Sequence, residues 1–397
     1  MRSTWRLTAL IGLPRDPGRV VSQVVRESDI TIIGGGLVGA AIAYGLARSG
    51  LKPLVLDGGD RDFKAARANF GIIWVQGKGP GMPAYQRLTR RSADLWPELA
   101  QELGEASGIA LDYRRSGGLH FCLGTDEYDA RTSAIARLAS EFGSESYDTQ
   151  MIERSALERM LPGVRLGQEV SGASYCSRDG EVNPLRAHHA LLVAATLLGA
   201  SIVGDTQVSN VSWKDGLFTL TTPAGPVRTP RLIIAAGNGV GPLAEMAGLS
   251  VPLRPQRGQL LVTERMEPLI PLPTVPLRQT AEGGVLIGST QEEVGYDVST
   301  TVAGAARMAS RACRILPALD EIVVVRHWAG LRVMTPDGHP IYAESTAYPG
   351  AFVALCHSGV TLAAAHALDL APALARGALP EALAPFHPDR FHVPNAA

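Results

Sequence analysis

The chain has 397 residues, with 37 Lys or Arg against 38 Asp or Glu, and its formal net charge at pH 7 is −1. This balance excludes the strong electrostatic field that would recruit nucleic acid or an anionic membrane surface. The length predicts two domains or one elaborated domain, and no apolar run of the sequence approaches a membrane span.

Residues 1–28 have a different texture from the rest of the chain. Five arginines are interspersed with short apolar pieces, and Pro14 and Pro17 would break a helix. A convincing small-residue cleavage site is missing, so we do not interpret the segment as a signal peptide. We expect a flexible or loosely attached extension.

Residues 29–60 carry the most specific motif. An apolar β-branched strand is followed by Gly34, Gly36 and Gly39 on the G-x-G-x-x-G spacing, then an Ala-rich helix and a second apolar strand that ends at Asp57. The spacing predicts a dinucleotide site: a tight turn, a close approach to a pyrophosphate at a helix N-terminus, and an acid for the ribose hydroxyls. A glycine-rich turn in an unrelated α/β protein is the alternative.

The rest of the chain alternates between βαβ-like and strand-rich segments. Helices are predicted at 83–108, 125–142, 185–198 and 360–370. Strands are predicted at 117–123, 200–203, 208–213, 218–222, 227–235, 258–262, 284–288, 322–325 and 351–356. This order predicts an α/β fold with some α+β character, in which an antiparallel sheet interrupts a Rossmann-type domain. The expected dinucleotide domain comprises 29–111, 183–249 and 333–397, and the expected substrate domain comprises 112–182 and 250–332.

The distribution of these signals bears on which dinucleotide is bound. The G-x-G-x-x-G motif occurs once, a strand leading to Ala236 and Gly237 follows far downstream, and a strand running into His357, Ser358 and Gly359 comes near the C-terminus. A nicotinamide dehydrogenase usually completes its cofactor domain from contiguous βαβ units. The observed spread therefore favours FAD, with the adenine end at the first motif and the reactive ring near the last. An NAD(P)-dependent dehydrogenase is the disfavoured alternative.

The four cysteines of the chain bear on metals and on the cellular compartment. They are scattered and form no C-x-x-C pair. That argues against a zinc site or an iron–sulfur cluster in this chain, and we expect no metal. Reduced thiols also favour a cytoplasmic location.

Six short motifs, taken together, carry a family resemblance that extends over residues 29–390. The motifs are DGEVNP (179–184), RGQ (257–259), IGST (287–290), WAGLR (328–332), TPDGHP (335–340) and HSG (357–359). On these motifs the chain resembles the D-amino acid oxidase superfamily of FAD-dependent amine oxidoreductases, which includes glycine oxidase, sarcosine oxidase and D-amino acid dehydrogenase.

Two further stretches resemble a narrower branch of that superfamily. These are ANFGIIWVQGKG (68–79) and GGLHFC (117–122). In this branch such chains are β subunits of multi-subunit opine oxidases or hydroxyproline dehydrogenases, beside a second flavin subunit and a small iron–sulfur subunit. The resemblance therefore implies partner chains, through which an otherwise cytoplasmic protein could associate with a membrane.

The resemblance implies a reaction and a role for the chain. An amino acid or secondary amine, opine-like or hydroxyproline-like, loses a hydride from carbon to flavin N5, which oxidises its C–N bond. The chain would be the catalytic subunit of a dehydrogenase or oxidase. The alternative is a non-catalytic flavoprotein that serves electron relay or assembly.

Arg332 and His357 are the predicted substrate residues. Arg332 lies in an otherwise apolar run, where a guanidinium needs a fixed anionic partner. A substrate carboxylate meets that need, as the resemblance also implies; a salt bridge to a protein acid is the alternative. His357 could contact the substrate or the flavin, or could only cap or pack its turn. Glycine oxidase-like relatives often carry an arginine directly after this histidine, whereas this chain has Ser358.

The remaining predicted cofactor contacts fall into three groups. The amides that begin the last helix would face the flavin pyrimidine ring and stabilise negative charge there. A loop after the first unit could approach the pyrophosphate or the ring, and backbone contacts complete the set. In chain order these residues are Arg67, Asn69, Val208, Ala236, Gly237, Gly330, Gly359, Val360 and Thr361.

Overall fold

The computed structural model describes residues 25–59, 65–143 and 147–391. Its strands are β1 (Arg26–Glu27), β2 (Thr31–Ile33), β3 (Leu54–Leu56), β4 (Ile72–Ile73), β5 (Gly118–Leu123), β6 (Thr149–Glu153), β7 (Val170–Cys176), β8 (Gly180–Glu181), β9 (Ser201–Val203), β10 (Asn210–Lys214), β11 (Leu217–Thr222), β12 (Gly225–Thr229), β13 (Leu232–Ile234), β14 (Gln256–Arg265), β15 (Thr274–Val275), β16 (Leu277–Gln279), β17 (Gly284–Gly288), β18 (Val324–Arg332), β19 (Ile341–Glu344) and β20 (Ala351–Leu355).

The helices of the described residues alternate with these strands. They are α1 (Leu37–Arg48), α2 (Pro83–Ser107), α3 (Gly124–Phe142), α4 (Arg154–Met160), α5 (Pro184–Leu197), α6 (Val240–Met246), α7 (Val302–Ile315), α8 (Gly359–Ala365) and α9 (Ala371–Ala375). One π-helical turn, His366–Leu370, joins α8 to α9.

A six-stranded sheet forms the centre of the fold, in the order β19-β20-β13-β2-β3-β9. Its strands are parallel except for β19, which pairs antiparallel with β20 at the edge. The short apolar sequences of β2, β3 and β13 are buried, as expected for parallel strands covered on both faces. The strands come from three distant segments, so the predicted return of the chain to the first unit is confirmed.

Alternating side chains of the central strands enter two different cores. Ile32, Val55 and Ile233 pack in one core with helices α1, α2, α5 and α8. Ile33 and Leu56 pack in the other, with α6 and the antiparallel ribbon β10–β12. The central sheet is therefore the middle layer of three.

The ribbon includes a segment that the sequence had assigned to the N-terminal extension. Arg26 and Glu27 form β1, which pairs parallel with β12. The expected boundary at residue 28 is therefore wrong by a few residues, because this strand completes the edge of the ribbon. Residues 1–24 lie outside the described part of the chain.

The fold has two further four-stranded sheets besides the central sheet and the ribbon. One has the order β16-β17-β14-β18 and the other β15-β5-β7-β6. They share a core with α7, in which Phe121, Leu261 and Ile315 are buried. Antiparallel pairing of β14 with β18 brings Gln256 opposite Arg332. The predicted antiparallel sheet is confirmed, whereas the division into two domains stays a prediction.

Two predicted strands differ from the structure in an informative way. The segment 227–235 forms two strands in separate sheets, β12 and β13, because Pro230 between them has no N–H to donate to a ladder. The segment 322–325 begins later, at Val324, and β18 extends to Arg332 because β14 pairs with it along that length. The four predicted helices agree with α2, α3, α5 and α8 closely at their N-termini.

Among the helices of the described residues, none combines the length and the apolar character needed to cross a membrane.

Candidate active site

A cavity of about 700 Å³ runs along the carboxyl ends of the central strands. It is lined by the glycine turn and Asp57, and also by His357, Gly359 and Val360. Ligands of open α/β sheets bind at this edge. Val208, Ala236 and Gly237, all predicted cofactor contacts, line the same cavity.

The three glycines of the motif have different physical roles. Gly34 has a φ of +104°, and a Cβ there would lie 2.5 Å from the Ala235 carbonyl oxygen. A Cβ on Gly39 would lie 1.9 Å from the Gly34 carbonyl oxygen, so α1 could not pack against the turn. A Cβ on Gly36 would meet nothing closer than Ala66, at 4.0 Å, and Gly36 lines the cavity. The backbone is therefore bare where a pyrophosphate would approach it.

Asp57 is hydrogen-bonded to the backbone of the glycine turn. Its carboxylate accepts hydrogen bonds from the Gly35 amide at 2.7 Å and from the Gly59 amide at 3.0 Å. It lies just after β3 and lines the cavity, the position of the acid that binds ribose in dinucleotide folds.

His188 supports the same turn, which the sequence did not reveal. Its Nε2 lies 2.6 Å from the Gly35 carbonyl oxygen. Because a carbonyl oxygen only accepts hydrogen bonds, Nε2 carries the proton and donates it. The sequence offered His188 and His189 side by side on a helix, with no signal for which of them faces the glycine turn.

We expect His188→Phe to weaken FAD binding about 5- to 10-fold, since the substitution removes one hydrogen bond that orients the glycine turn, worth about 1 kcal/mol. His189→Phe is the matched control, because His189 is exposed on the same helix. The measurement is quenching of FAD fluorescence on titration of the apoprotein. Equal affinities for the two variants would contradict this role of His188.

The side chain of Asn69 fixes the backbone of the loop after β3. Asn69 donates to the Ala66 carbonyl at 2.8 Å and accepts from the Gly71 amide at 2.9 Å, and it lines the cavity. Arg67 ends the turn Ala65–Arg67 with an exposed side chain. Their contacts with the cofactor stay predictions.

Gly330 and Thr361 have packing and hydrogen-bonding roles in the structure. A Cβ on Gly330 would lie 2.3 Å from the Cβ of Ala68, so this glycine lets β18 pack against the turn after Arg67. Thr361 is buried, and its hydroxyl accepts a hydrogen bond from the Trp74 amide at 3.0 Å. Neither is among the residues that line the cavity.

Arg332 ends β18 at the second predicted site. Its guanidinium donates to the Gln256 side-chain oxygen at 3.3 Å, to the Arg257 carbonyl at 3.3 Å, and to the Ser289 hydroxyl. All three acceptors are neutral, and within the described residues no carboxylate forms an ion pair with Arg332. Burial lowers the pKa of this guanidinium, which nevertheless remains a cation.

The neighbouring arginine provides a contrast. Arg257 is buried and pairs with Glu292 and Asp297, each at 2.5 Å. Arg257 is therefore a structural cation. The salt bridge that was the alternative for Arg332 is made by this residue instead.

His357 belongs to a polar cluster at the end of β20. Its Nε2 lies 3.1 Å from the Lys78 ammonium, which also donates to the Ser358 hydroxyl at 2.8 Å. The buried Tyr85 hydroxyl donates to the same Ser358 oxygen at 2.8 Å. Burial and the charges of Lys78 and Arg332 hold the pKa of His357 well below its usual range, so the imidazole is neutral.

Metal binding receives no support from the described residues, which contain no group of three or more His, Cys, Asp or Glu side chains able to hold an ion. All four cysteines are free thiols.

The fold and the cavity together define a dinucleotide-binding protein. The chain belongs to the family described as DAO, FAD dependent oxidoreductase, whose model matches residues 29–372. This membership decides between the two dinucleotides in favour of FAD. The bare backbone at Gly36 and the carboxylate of Asp57 fit that cofactor.

Among known proteins, the chain is 44% identical over 371 residues to a subunit of opine oxidase from Agrobacterium tumefaciens (strain Ach5), covering 93% of this chain and 99% of that protein. It is 43% identical over 370 residues to the corresponding opine oxidase subunit of Rhizobium meliloti, with 93% and 99% covered. The crystal structure of glycine oxidase from Geobacillus kaustophilus superposes with a TM-score of 0.81 at 25% identity, covering 91% of this chain and 98% of that one.

Proposed function

We propose that this chain is the catalytic subunit of a multi-subunit FAD-dependent dehydrogenase that oxidises the C–N bond of a carboxylate-bearing amine. The substrate class is an amino acid or a secondary amine of the opine or hydroxyproline type. The observation that carries the proposal is Arg332, a partly buried cation whose hydrogen-bond acceptors are all neutral. A buried charge of this kind is stabilised by an anion, and a substrate carboxylate provides one with bidentate geometry.

FAD, when bound, supplies the hydride acceptor for this reaction. The residues of the chain then hold the substrate. Arg332 binds the carboxylate. His357 is neutral, so it adds no further positive charge beside Lys78 and Arg332 that would repel an amine.

The assembly part of the proposal rests on similarity. Two relatives that match nearly the full chain are named as subunits of opine oxidase. We therefore propose partner chains, with a second flavin subunit and a small iron–sulfur subunit as the expected types. The free thiols agree with the cytoplasmic location predicted from the sequence.

The first test is an anaerobic substrate screen with the purified, FAD-loaded chain. D-amino acids, hydroxyproline, sarcosine and opines such as nopaline are added, and flavin absorbance is followed. We expect complete bleaching by members of one class, within seconds to minutes. If no compound of the panel reduces the flavin absorbance, the proposal is contradicted and the electron-relay alternative is favoured.

The electron acceptor is tested on the same preparation. If electrons leave through partner subunits, the isolated chain with its substrate is expected to reduce an artificial dye faster than it reduces oxygen. Faster turnover with oxygen would instead identify an oxidase that needs no partner for electron transfer.

A further inference from the structure

Lys78 is the second cation of the candidate site, and the function proposed above does not use it. Its ammonium group contacts His357 Nε2 at 3.1 Å and the Ser358 hydroxyl at 2.8 Å. The segment Gly77-Lys78-Gly79 lies between β4 and α2, so Lys78 reaches the end of β20 from a part of the chain 279 residues away.

In these hydrogen bonds the Lys78 ammonium group is the donor. One ring nitrogen of His357 is hydrogen-bonded to the backbone of Gly338, and this bond stabilises a proton on it. The other ring nitrogen, Nε2, is therefore left as an acceptor. The Ser358 oxygen accepts from Lys78 and from Tyr85. The Ser358 hydroxyl also lies 3.1 Å from His357 Nε2, so it competes with Lys78 to donate to that nitrogen. At most two of the three ammonium hydrogens therefore have acceptors among the described residues, which leaves at least one for a ligand.

The charges around Lys78 are unbalanced. Within the described residues no carboxylate lies in ion-pair distance of Lys78 or Arg332. The acid that bears on Lys78 is Asp179, whose oxygens accept from the Val75 amide and the Gln76 side chain, each at 2.6 Å. Burial raises the pKa of Asp179 to about 7, and its oxygens are directed to the Val75 amide and the Gln76 side chain, so Asp179 acts on Lys78 from a distance and forms no ion pair with it.

The other titratable groups that face Lys78 are neutral near pH 7. Burial raises the pKa of the Cys356 thiol to about 12 and lowers the pKa values of His339 and His357. The cluster therefore presents two positive charges, on Lys78 and Arg332, to whatever enters beside them. A single carboxylate would balance one of these charges, and the other would stay uncompensated in a partly buried site.

We infer that Lys78 and Arg332 together bind an amine with two anionic groups, and that Lys78 is the residue that selects for the second one. This inference rests on the proposed function, because it assumes that Arg332 takes the first carboxylate. Ser358 and Tyr85 act as positioning residues that hold the ammonium in place.

The test compares two probes that differ in one carboxylate. Iminodiacetate carries a carboxylate on each side of its nitrogen, and N-propylglycine replaces one of them with an ethyl group of similar size. Dissociation constants are measured anaerobically from the change in flavin absorbance of the FAD-loaded protein. We expect iminodiacetate to bind at least about tenfold more tightly, as a charge-assisted hydrogen bond allows.

Lys78→Met is expected to bring the ratio of the two dissociation constants to about one. Lys78→Arg, which keeps the charge, is expected to retain a ratio above one, and Lys214→Met is the control because Lys214 is an exposed lysine on β10. The FAD content of each variant checks its folding. An unchanged ratio in Lys78→Met would overturn the inference.

The failure of the inference can be distinguished from the failure of the proposed function. Equal binding of both probes to the wild-type protein would overturn the two-anion site alone. Binding of neither probe, together with no bleaching by any amine, would overturn the proposed function as well.

A pH profile adds a readout that a purely structural lysine would not give. Burial and the charge of Arg332 lower the pKa of Lys78 to about 8, so its positive charge is present below that pH and lost above it. The preference for iminodiacetate is therefore expected at pH 6.5 and to decline between pH 7.5 and 9. A preference that persists at pH 9.5 would contradict the role of Lys78.

Discussion

Arg332→Gln is expected to lower kcat/KM for the substrate roughly 30- to 4,000-fold, chiefly through KM, while FAD content and thermal stability change little. Removing one partner of a partly buried, hydrogen-bonded charge pair costs about 2–5 kcal/mol. The acceptors that Arg332 leaves behind are neutral, so the free protein loses no ion pair. The measurement is the concentration dependence of anaerobic flavin bleaching, with thermal unfolding followed in parallel.

Two neighbouring arginines serve as controls for this prediction. Arg254 is half exposed, with its nearest acid oxygen at 3.7 Å on Glu293, and Arg254→Gln is expected to leave kcat/KM and stability near wild type. Arg257→Gln is expected to destabilise the protein more than Arg254→Gln does, because Arg257 is buried and pairs with two acids.

The outcome also decides between catalysis and electron relay. A catalytic chain loses substrate binding when Arg332 is replaced, whereas a relay subunit keeps its turnover in the assembled complex. Wild-type KM in the Arg332→Gln variant would therefore contradict the proposed function. A parallel fall in stability for Arg332 and Arg257 variants would instead identify both as structural residues.

The features that the sequence predicted well are local in the chain. The glycine turn is one of them, because its strand, turn and helix are consecutive, and Gly34 and Gly39 answer steric demands of that turn. The helix that follows Ser358 is another, since its apolar periodicity and its preceding strand are contiguous. Such elements need no knowledge of distant parts of the chain.

The features that the sequence missed depend on contacts between distant segments. Lys78 and His357 are 279 residues apart, and Tyr85 reaches Ser358 across 273 residues. His188 meets the glycine turn across 153 residues. A single sequence gives the residue types at these positions but not the direction of their side chains, so no spacing rule could bring them together.

Ser358 illustrates this limit. Where related enzymes often carry an arginine after the histidine, this chain has a serine, which left the number of cations at the substrate site open. In the structure the Ser358 hydroxyl accepts a hydrogen bond from Lys78 at 2.8 Å. In the two-anion site inferred above, the second positive charge is that of Lys78, which lies in the loop before α2. The serine after the histidine is the sequence feature that points to a search for another cation.

Gly36→Ala is expected to give a stable apoprotein that binds FAD about 10- to 150-fold more weakly. The backbone of Gly36, with φ of −71° and ψ of −174°, suits any residue, and an added Cβ would have 4.0 Å of clearance from Ala66. The same Cβ would project where the pyrophosphate approaches the backbone, at the expense of a charge-assisted hydrogen bond worth about 1.5–3 kcal/mol.

Gly39→Ala is the matched comparison, because it adds the same methyl group three residues later with the opposite expected result. Its Cβ would lie 1.9 Å from the Gly34 carbonyl oxygen, so α1 must shift and the apoprotein is expected to lose about 3 kcal/mol or more of stability. Thermal unfolding of the two apoproteins and FAD titration by fluorescence quenching separate the effects. Wild-type FAD affinity in Gly36→Ala would contradict its role as the pyrophosphate contact, and wild-type stability in Gly39→Ala would show that the turn can relax away from the helix.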